Sequence, residues 1–289
     1  MLDEPVAQKR SGFDWNLKRN LKRPSVRYAR RWLVFAVVVA PALYLIPIPT
    51  ILLLLCGALD VGRHRKLSYR LVEEYFTAKG LLTWLLSPLN LLADLLAQKA
   101  GSTTALEDLP PGHRQEIETC VAAFLENRAA IQSYIGERLA GESRVMLSYK
   151  WFGSNAQLGL RIPAFEQDFR YVKTIAVSAF RGREQTSWHF GPQRLTFRVL
   201  RNLDPIESRE VYLSVDDQTV YWDAQPLLIF DDTMFHRSVN GVDSLRCCLF
   251  MDLVRPSRAE PLFLGAIGVM NLIAGGIRRM FYRNWAFLR

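Results

Sequence analysis

The chain has 289 residues, a net charge of +9 and a sequence pI near 9.6. Hydrophobic residues make up 49% and charged residues 22%, which excludes intrinsic disorder as a description of the whole chain. Four cysteines, of which Cys247 and Cys248 are adjacent, are too few for a disulfide-stapled scaffold and read as free thiols of a reducing compartment.

Residues 1–31 form a basic segment, Lys9-Arg10 through Arg30-Arg31. From Leu33 to Leu59 the chain is apolar or small apart from Tyr44, Thr50 and the prolines Pro41, Pro47 and Pro49. The basic region is too long for the n-region of a signal peptide, so 32–60 reads as a retained membrane segment. It is long enough for a ~30 Å hydrocarbon core, but Pro47-Ile48-Pro49 divides it into two pieces, each too short to cross alone. Arg63-His64-Arg65-Lys66 follows the run, so both flanks are basic. The positive-inside rule draws both to the cytoplasm, which a re-entrant hairpin satisfies and a single span does not.

Shorter apolar runs at 81–86, 91–96 and 262–273 cannot span. With Trp84, Phe281, Tyr282 and Trp285 near Arg and Lys, they predict interfacial helices in 61–104 and a membrane-associated helix in 259–289. The alternative is that they pack on one another as core helices. Residues 105–258 form a different unit. Helical spacing at Ile117, Val121, Phe124 and Leu125 predicts a helix over Arg114 to Ile135. Beyond Arg144 come strands at 145–149, 171–180, 195–200, 210–215, 219–222, 227–230 and 245–254, separated by turn residues such as Asp204-Pro205 and Asn240-Gly241. Many short strands at regular spacing define a mainly β core of sandwich or barrel type, including the jelly roll.

Two histidines fall in the β-rich part, His189 just before a strand and His236 just after one. Facing each other at a barrel mouth they could bind a divalent metal; solvated or hydrogen-bonded imidazoles are the plainer reading of spacing alone. Arg246 and Arg198 each interrupt an apolar strand. Such a cation either faces solvent on an antiparallel sheet or, if buried, needs an anionic partner, for which a small dicarboxylate beside the metal would serve both. Asp231-Asp232 reads as a turn.

The arrangement in detail resembles the aspartyl/asparaginyl β-hydroxylase family of Fe(II)/2-oxoglutarate dioxygenases, which includes bacterial lipid A 2-hydroxylases and ornithine-lipid hydroxylases. The resemblance runs from about Val172 to Pro256. It is carried by Ser178, His189-Phe190-Gly191-Pro192, Arg198, Trp222, Leu228-Ile229-Phe230-Asp231-Asp232, His236, Arg246 and Asp252-Leu253-Val254-Arg255-Pro256. It implies a double-stranded β-helix in which His189 and His236 hold Fe(II), Arg246 pairs with the distal carboxylate of 2-oxoglutarate, Ser178 assists, and Arg198 lies near the metal-bound end. With O2, the implied reaction is oxidative decarboxylation to succinate and CO2 coupled to hydroxylation. Two positions depart from the pattern. Gly191 stands where most such oxygenases have a carboxylate ligand, which also leaves room for a halide, and Leu200 stands where the family usually has a His.

The membrane segments point to the substrate. A target carbon in an acyl chain must be drawn from the bilayer, so the expectation is 2-hydroxylation of lipid A or an amino-acid-containing lipid at an anionic bacterial inner membrane, with the active site facing the cytoplasm. Arg181, Arg183, Arg194 and Arg201 surround His189 in sequence and could meet a head group or form a solvated basic face. Nucleic acid is not expected, because the strands lack aromatic-plus-basic clusters. The alternatives are hydroxylation of an Asp or Asn side chain in a protein, which Gly191 favours, and an inactive lipid-binding scaffold, which Leu200 favours.

Overall fold

The computed structural model describes residues 24–138, 141–274 and 285–288. The basic segment before Pro24, and Arg278, Arg279, Phe281 and Tyr282, lie outside the described residues. The chain opens with α1 (Pro24–Leu45) and α2 (Pro47–Val61). They part at Ile46, where Pro47 disfavours helical geometry in the residue before it. The helices are antiparallel. Phe35 of α1 meets Trp84 at 5.3 Å, the Trp84 indole donates to the Leu53 carbonyl of α2, and Arg31 pairs with Glu73 beyond the end of α2. The two helices therefore fold back on each other at the prolines. One part of the expectation is corrected: α1 is not too short to cross. It runs back through Arg27–Arg31, and Val26–Leu45 has the length and hydropathy of a span. Tyr44, Leu45, Ile46 and Ile48 are exposed at the tip. At ~1.5 Å per residue, the stretch from Phe35 to the tip reaches roughly 15 Å beyond the packed base.

Three short helices follow: α3 (Tyr69–Thr77), started by the Ser68 hydroxyl accepting from the Leu71 amide, α4 (Leu81–Leu85) and α5 (Ser87–Leu96). Both sequence readings of this segment meet here. Thr83, Trp84, Ser87, Asn90 and Ala93 are buried against the protein, while Leu81, Leu85, Leu89, Leu92 and Leu95 are exposed.

The β core begins with β1 (Thr103–Thr104) and is backed by α6 (Pro111–Glu126) and α7 (Arg128–Arg138), two helices where the sequence predicted one. Then come β2 (Arg144–Trp151), β3 (Ser154–Asn155), β4 (Val172–Arg181), β5 (Glu184–Gln185), β6 (Thr196–Asn202), β7 (Val211–Val215), β8 (Gln218–Tyr221), β9 (Leu227–Phe230), β10 (His236–Asn240) and β11 (Leu245–Val254). The helix α8 (Glu260–Ala274) follows, and β12 (Ala286–Leu288) returns to the sheet edge beside β2. One sheet has the order β1-β9-β6-β11-β4-β2-β12, with β3 on β2; the other has β5-β10-β7-β8. From β4 to β11 the chain passes repeatedly between them, β4, β6, β9 and β11 in the larger and β5, β7, β8 and β10 in the smaller. That is a double-stranded β-helix, or jelly roll.

Alternation along the strands decides which residues reach the interior. Cys247, Leu249, Met251 and Leu253 pack with Ile117, Phe124, Ile131 and Ile135 on the helical side. Their neighbours Arg246, Cys248, Phe250 and Asp252 point between the sheets, as the two-residue period requires. The same rule sends Ser178 and Phe180 of β4, and Arg198 and Leu200 of β6, to that interior. The turn between β2 and β3 has two residues, Phe152 (φ 46) and Gly153 (φ 95). Two-residue hairpins favour this left-handed backbone, with Asn-Gly the usual occupant. Phenylalanine there costs ~1–2 kcal/mol.

Candidate metal and co-substrate site

His189 and His236 lie at the mouth of the barrel, joined by two backbone hydrogen bonds of 3.0 Å, with ring centroids 4.1 Å apart. The sequence placed His236 after a strand; it starts β10, whose polar run His-Arg-Ser-Val-Asn carries no alternation to announce it. Each ring lies with Nδ1 at a backbone carbonyl, His189 on Ser187 at 2.7 Å and His236 on Met234 at 2.8 Å. Donation at Nδ1 leaves both Nε2 atoms as lone-pair ligands, the usual orientation of metal-binding imidazoles. Burial, with His236 as a neighbour, pushes His189 down to about 3, and burial pushes His236 down to about 4. Both are neutral, as a metal ligand must be.

Position 191 explains the missing carboxylate. A Cβ there would fall 2.0 Å from Asp232 Oδ2 and 2.9 Å from the Asp232 carbonyl, so the carboxylate of Asp232 fills the space a side chain at 191 would take. Asp232 Oδ1 is buried without a hydrogen-bond partner and lies 3.4 Å from His236 Nε2. Two free imidazole nitrogens and an orphaned carboxylate oxygen are a donor set suited to a divalent ion such as Fe(II). Among the described residues no three such side chains are already closed around one point. Residues of the chain would hold one side of the ion and leave the other for co-substrate and O2.

Arg246 is buried on β11 and faces the same cavity. It donates to Ser238 Oγ at 3.0 Å and the Val239 carbonyl at 3.3 Å, and lies over Phe180 at 4.9 Å and Trp222 at 5.6 Å. Its Nε has no partner, and among the described residues no carboxylate pairs with it. Burial pushes its pKa below the ordinary arginine value. An uncompensated buried guanidinium beside a metal-competent pair is the cradle of an anionic ligand. Ser178, on the neighbouring strand, donates to the Cys248 carbonyl at 3.3 Å and borders the same space.

Arg198 differs from the expectation. Its charge is met by Asp252 at 2.9 Å and Asp232 at 3.0 Å, and it stacks over Phe250 at 3.7 Å. It therefore needs no dicarboxylate; it fixes Asp232. Of the four arginines near His189 none lines the cavity; Arg181 and Arg183 are exposed, as a solvated basic face requires, and only Arg194 departs from both readings. Arg183 is exposed near Asp243 and Glu210, and Arg194 is buried at 1% exposure.

Arg194 anchors a network that the sequence did not reveal. It pairs with Asp60 of α2, with Asp94 of α5 at 2.9 Å and with Asp231 at 3.4 Å, and donates to Thr233 Oγ1 at 3.0 Å. Arg63 joins at Asp231 (3.0 Å) and Arg255 at Asp94 (2.9 Å). Burial would raise Asp231, but Arg194, Arg63 and Arg255 hold it well below the usual carboxylate range. The helices also hold the loop that carries His189: Thr83 donates to the Gly191 carbonyl at 2.8 Å and Asn90 to the Pro192 carbonyl at 3.1 Å. His64 Nε2 accepts from the Phe235 amide, next to His236. An acidic pair after an apolar strand, four residues before a His, was the available signal for Asp232.

The cavity between these residues has a volume of about 430 Å³ and is otherwise walled by apolar side chains, among them Leu86, Phe152, Phe180, Leu200, Phe230 and Trp285. Trp285, expected as an interfacial anchor, stacks on Phe180 at 5.2 Å instead. Fold and site together define a jelly-roll domain with two neutral histidines and a buried arginine around one cavity. Residues 161–256, about a third of the chain, match the family model described as Aspartyl/Asparaginyl beta-hydroxylase, so the resemblance read from the sequence is found there. The chain is 31% identical over 102 residues to the ornithine lipid ester-linked acyl 2-hydroxylase of Rhizobium tropici, covering 35% of this chain and 36% of that protein. It thus spans about a third of the length of that curated relative. Among solved structures it is similar to an oxidoreductase of the 2OG-Fe(II) oxygenase family from Burkholderia pseudomallei (12% identity, 40% of this chain and 70% of that one, TM-score 0.29). It is also similar to a cupin superfamily protein from Desulfitobacterium hafniense (15% identity, 38% and 77%, TM-score 0.24).

Proposed function

We propose that the protein is an Fe(II)- and 2-oxoglutarate-dependent hydroxylase acting at a membrane on the acyl chain of a lipid, with an amino-acid-containing lipid or lipid A as substrate and carbon 2 as the target. The observation that carries this is the juxtaposition of an uncompensated buried Arg246 with two neutral imidazoles in one apolar cavity. Fe(II) bound at His189 and His236, with 2-oxoglutarate and O2, supplies oxidative decarboxylation to succinate and CO2 and transfer of one oxygen atom to a C–H bond.

The chain's own residues orient the reactants. Arg246 and Ser178 hold the distal carboxylate of the co-substrate at the inner end. Arg198, through Asp232, keeps the carboxylate beside His236, and the Nδ1 contacts to Ser187 and Met234 keep the imidazoles aimed. Phe230, Phe250 and Leu200 exclude water from the reacting carbon. Leu200 in place of a histidine makes that wall apolar, which suits a methylene group. With Arg246 given to the co-substrate and Arg198 neutralised, no arginine lining the cavity is left for an Asp side chain, which favours the acyl reading over the peptide one. The apolar hairpin and the free, buried thiols of Cys120, Cys247 and Cys248 support a cytoplasmic-facing site at a bacterial inner membrane.

The test is lipid mass spectrometry of a host expressing the wild type beside His236→Ala. The expected result is a gain of one oxygen atom on one lipid class, absent in the variant. A gain found only on a protein would replace this reading by side-chain hydroxylation.

A further inference from the structure

Several side chains that wall the cavity come from outside the strands of the jelly roll. Leu82 and Leu86 come from α4 and its end, Met270 from α8 and Phe152 from the β2–β3 turn. The same helices are apolar on their outer faces, where Leu85, Leu89, Leu262, Val269 and Leu272 are exposed. Through Ala93 and Leu96, α5 packs against Phe263 and Ile267 of α8, and Ala97 pairs with Ser257. The helices therefore form one layer, and Leu82, which both lines the cavity and is exposed, joins its apolar surface to the cavity wall. Cations gather at the base of the adjoining hairpin, where Arg27, Arg30, Arg65, Lys66 and Arg70 are exposed. Apolar surface bordered by positive charge complements the acyl region and phosphates of an anionic bilayer.

Phe152 adds an independent observation. Its backbone is held at φ 46, in the left-handed region, at a turn where asparagine would fit without strain, and the residue lines the cavity and packs with the cluster of Phe263 and Ile267. The cavity, about 430 Å³, is at the small end for ligand sites of ~300–1,000 Å³. Co-substrate and a short stretch of chain fill it, so the rest of a fatty chain must stay outside.

We propose that a lipid acyl chain reaches the site sideways from the bilayer, through a portal bordered by Leu82, Leu86, Met270 and Phe152, and that Phe152 determines which chains are accepted. The chemistry rests on the acyl-hydroxylase reading; the portal is testable without it. In the first arm, p-benzoylphenylalanine replaces Leu86 in the full chain, reconstituted in vesicles of phosphatidylglycerol and phosphatidylethanolamine. Irradiation should give a phospholipid adduct by intact mass, and none when the probe replaces Thr219 on the exposed edge of β8. No adduct at 86, or an equal one at 219, overturns the portal.

In the second arm, Phe152→Asn should keep or raise the thermal midpoint, because the turn loses its strain. The preference between longer and shorter acyl chains should shift about tenfold, the scale of a methylene-sized change in an apolar pocket. An unchanged preference overturns the role of Phe152. If the wild type oxidises no lipid, the acyl reading fails, and the adduct at 86 still decides the portal.

Discussion

Two buried arginines, Arg246 and Arg194, should differ sharply in their response to the same substitution. Arg246→Met removes a cation whose desolvation costs several kcal/mol. The charge recovers about 1.5–3 kcal/mol from each of its two hydrogen bonds and about 1 kcal/mol from Phe180 and Trp222. These nearly cancel, so the ligand-free variant should lie within about 2 kcal/mol of wild type. Arg194→Met instead strands Asp60, Asp94 and Asp231, and breaking a buried ion pair costs about 3–5 kcal/mol. At about 2–4 °C per kcal/mol that is a fall of roughly 10 °C. Scanning fluorimetry with Mn²⁺ in place of iron, with and without 2-oxoglutarate, reads both effects. Co-substrate at a hundred times its dissociation constant should add about 2.7 kcal/mol to the wild type and nothing to Arg246→Met. If Arg246→Met fell as far as Arg194→Met, or still responded to 2-oxoglutarate, Arg246 would be a structural cation and the co-substrate site would lie elsewhere.

Gly191→Ala places a methyl group against the Asp232 carboxylate and should weaken divalent binding about tenfold or more, measured by Co²⁺ absorption. The metal-free protein should lose stability as pH falls from about 6.5 towards 4. The unfolded chain takes up protons near the ordinary histidine value, while His189 and His236 stay neutral to about 3 and about 4. The slope approaches about 1.4 kcal/mol per pH unit for each ring, and His189→Gln should remove one share of it in urea titrations at stepped pH. Ile48→Lys at the hairpin tip should move protein from the membrane pellet to the supernatant after carbonate washing, since a lysine costs about 2.5–3.5 kcal/mol at the centre of a membrane helix.

The strands that carry Ser178, Arg198 and Arg246 were legible because each is an apolar run with a polar residue at a fixed parity, and parity alone assigns a face. The break between α1 and α2 was legible from Pro47 and Pro49. What escaped was whatever depends on contact across the chain. Arg194 looks like any loop arginine until Asp60 and Asp94, 134 and 100 residues away, are brought to it. Asp232 reads as a turn until Gly191 is seen to have left its side-chain space empty for it. β10 and β12 are too polar or too short to show a period and exist because neighbouring strands offer unpaired edges. Arg198 shows the limit of reading charge from a strand: the requirement for an anion was correct, and Asp252 and Asp232 supply it.

The network around Arg194 also bears on how the molecule can be dissected. Asp60 and Arg63 sit at the foot of the hairpin, and Asp231 is the residue before Asp232. A fragment trimmed to the jelly roll for convenience of purification would leave Arg194 and Asp231 short of their partners in the middle of the protein, and would free the loop bearing His189 from Thr83 and Asn90. The hairpin is in this sense a keystone rather than a tether: the β domain should unfold in one transition with it, and an excised version should lose the alignment of His189 and His236 before it loses its sheets.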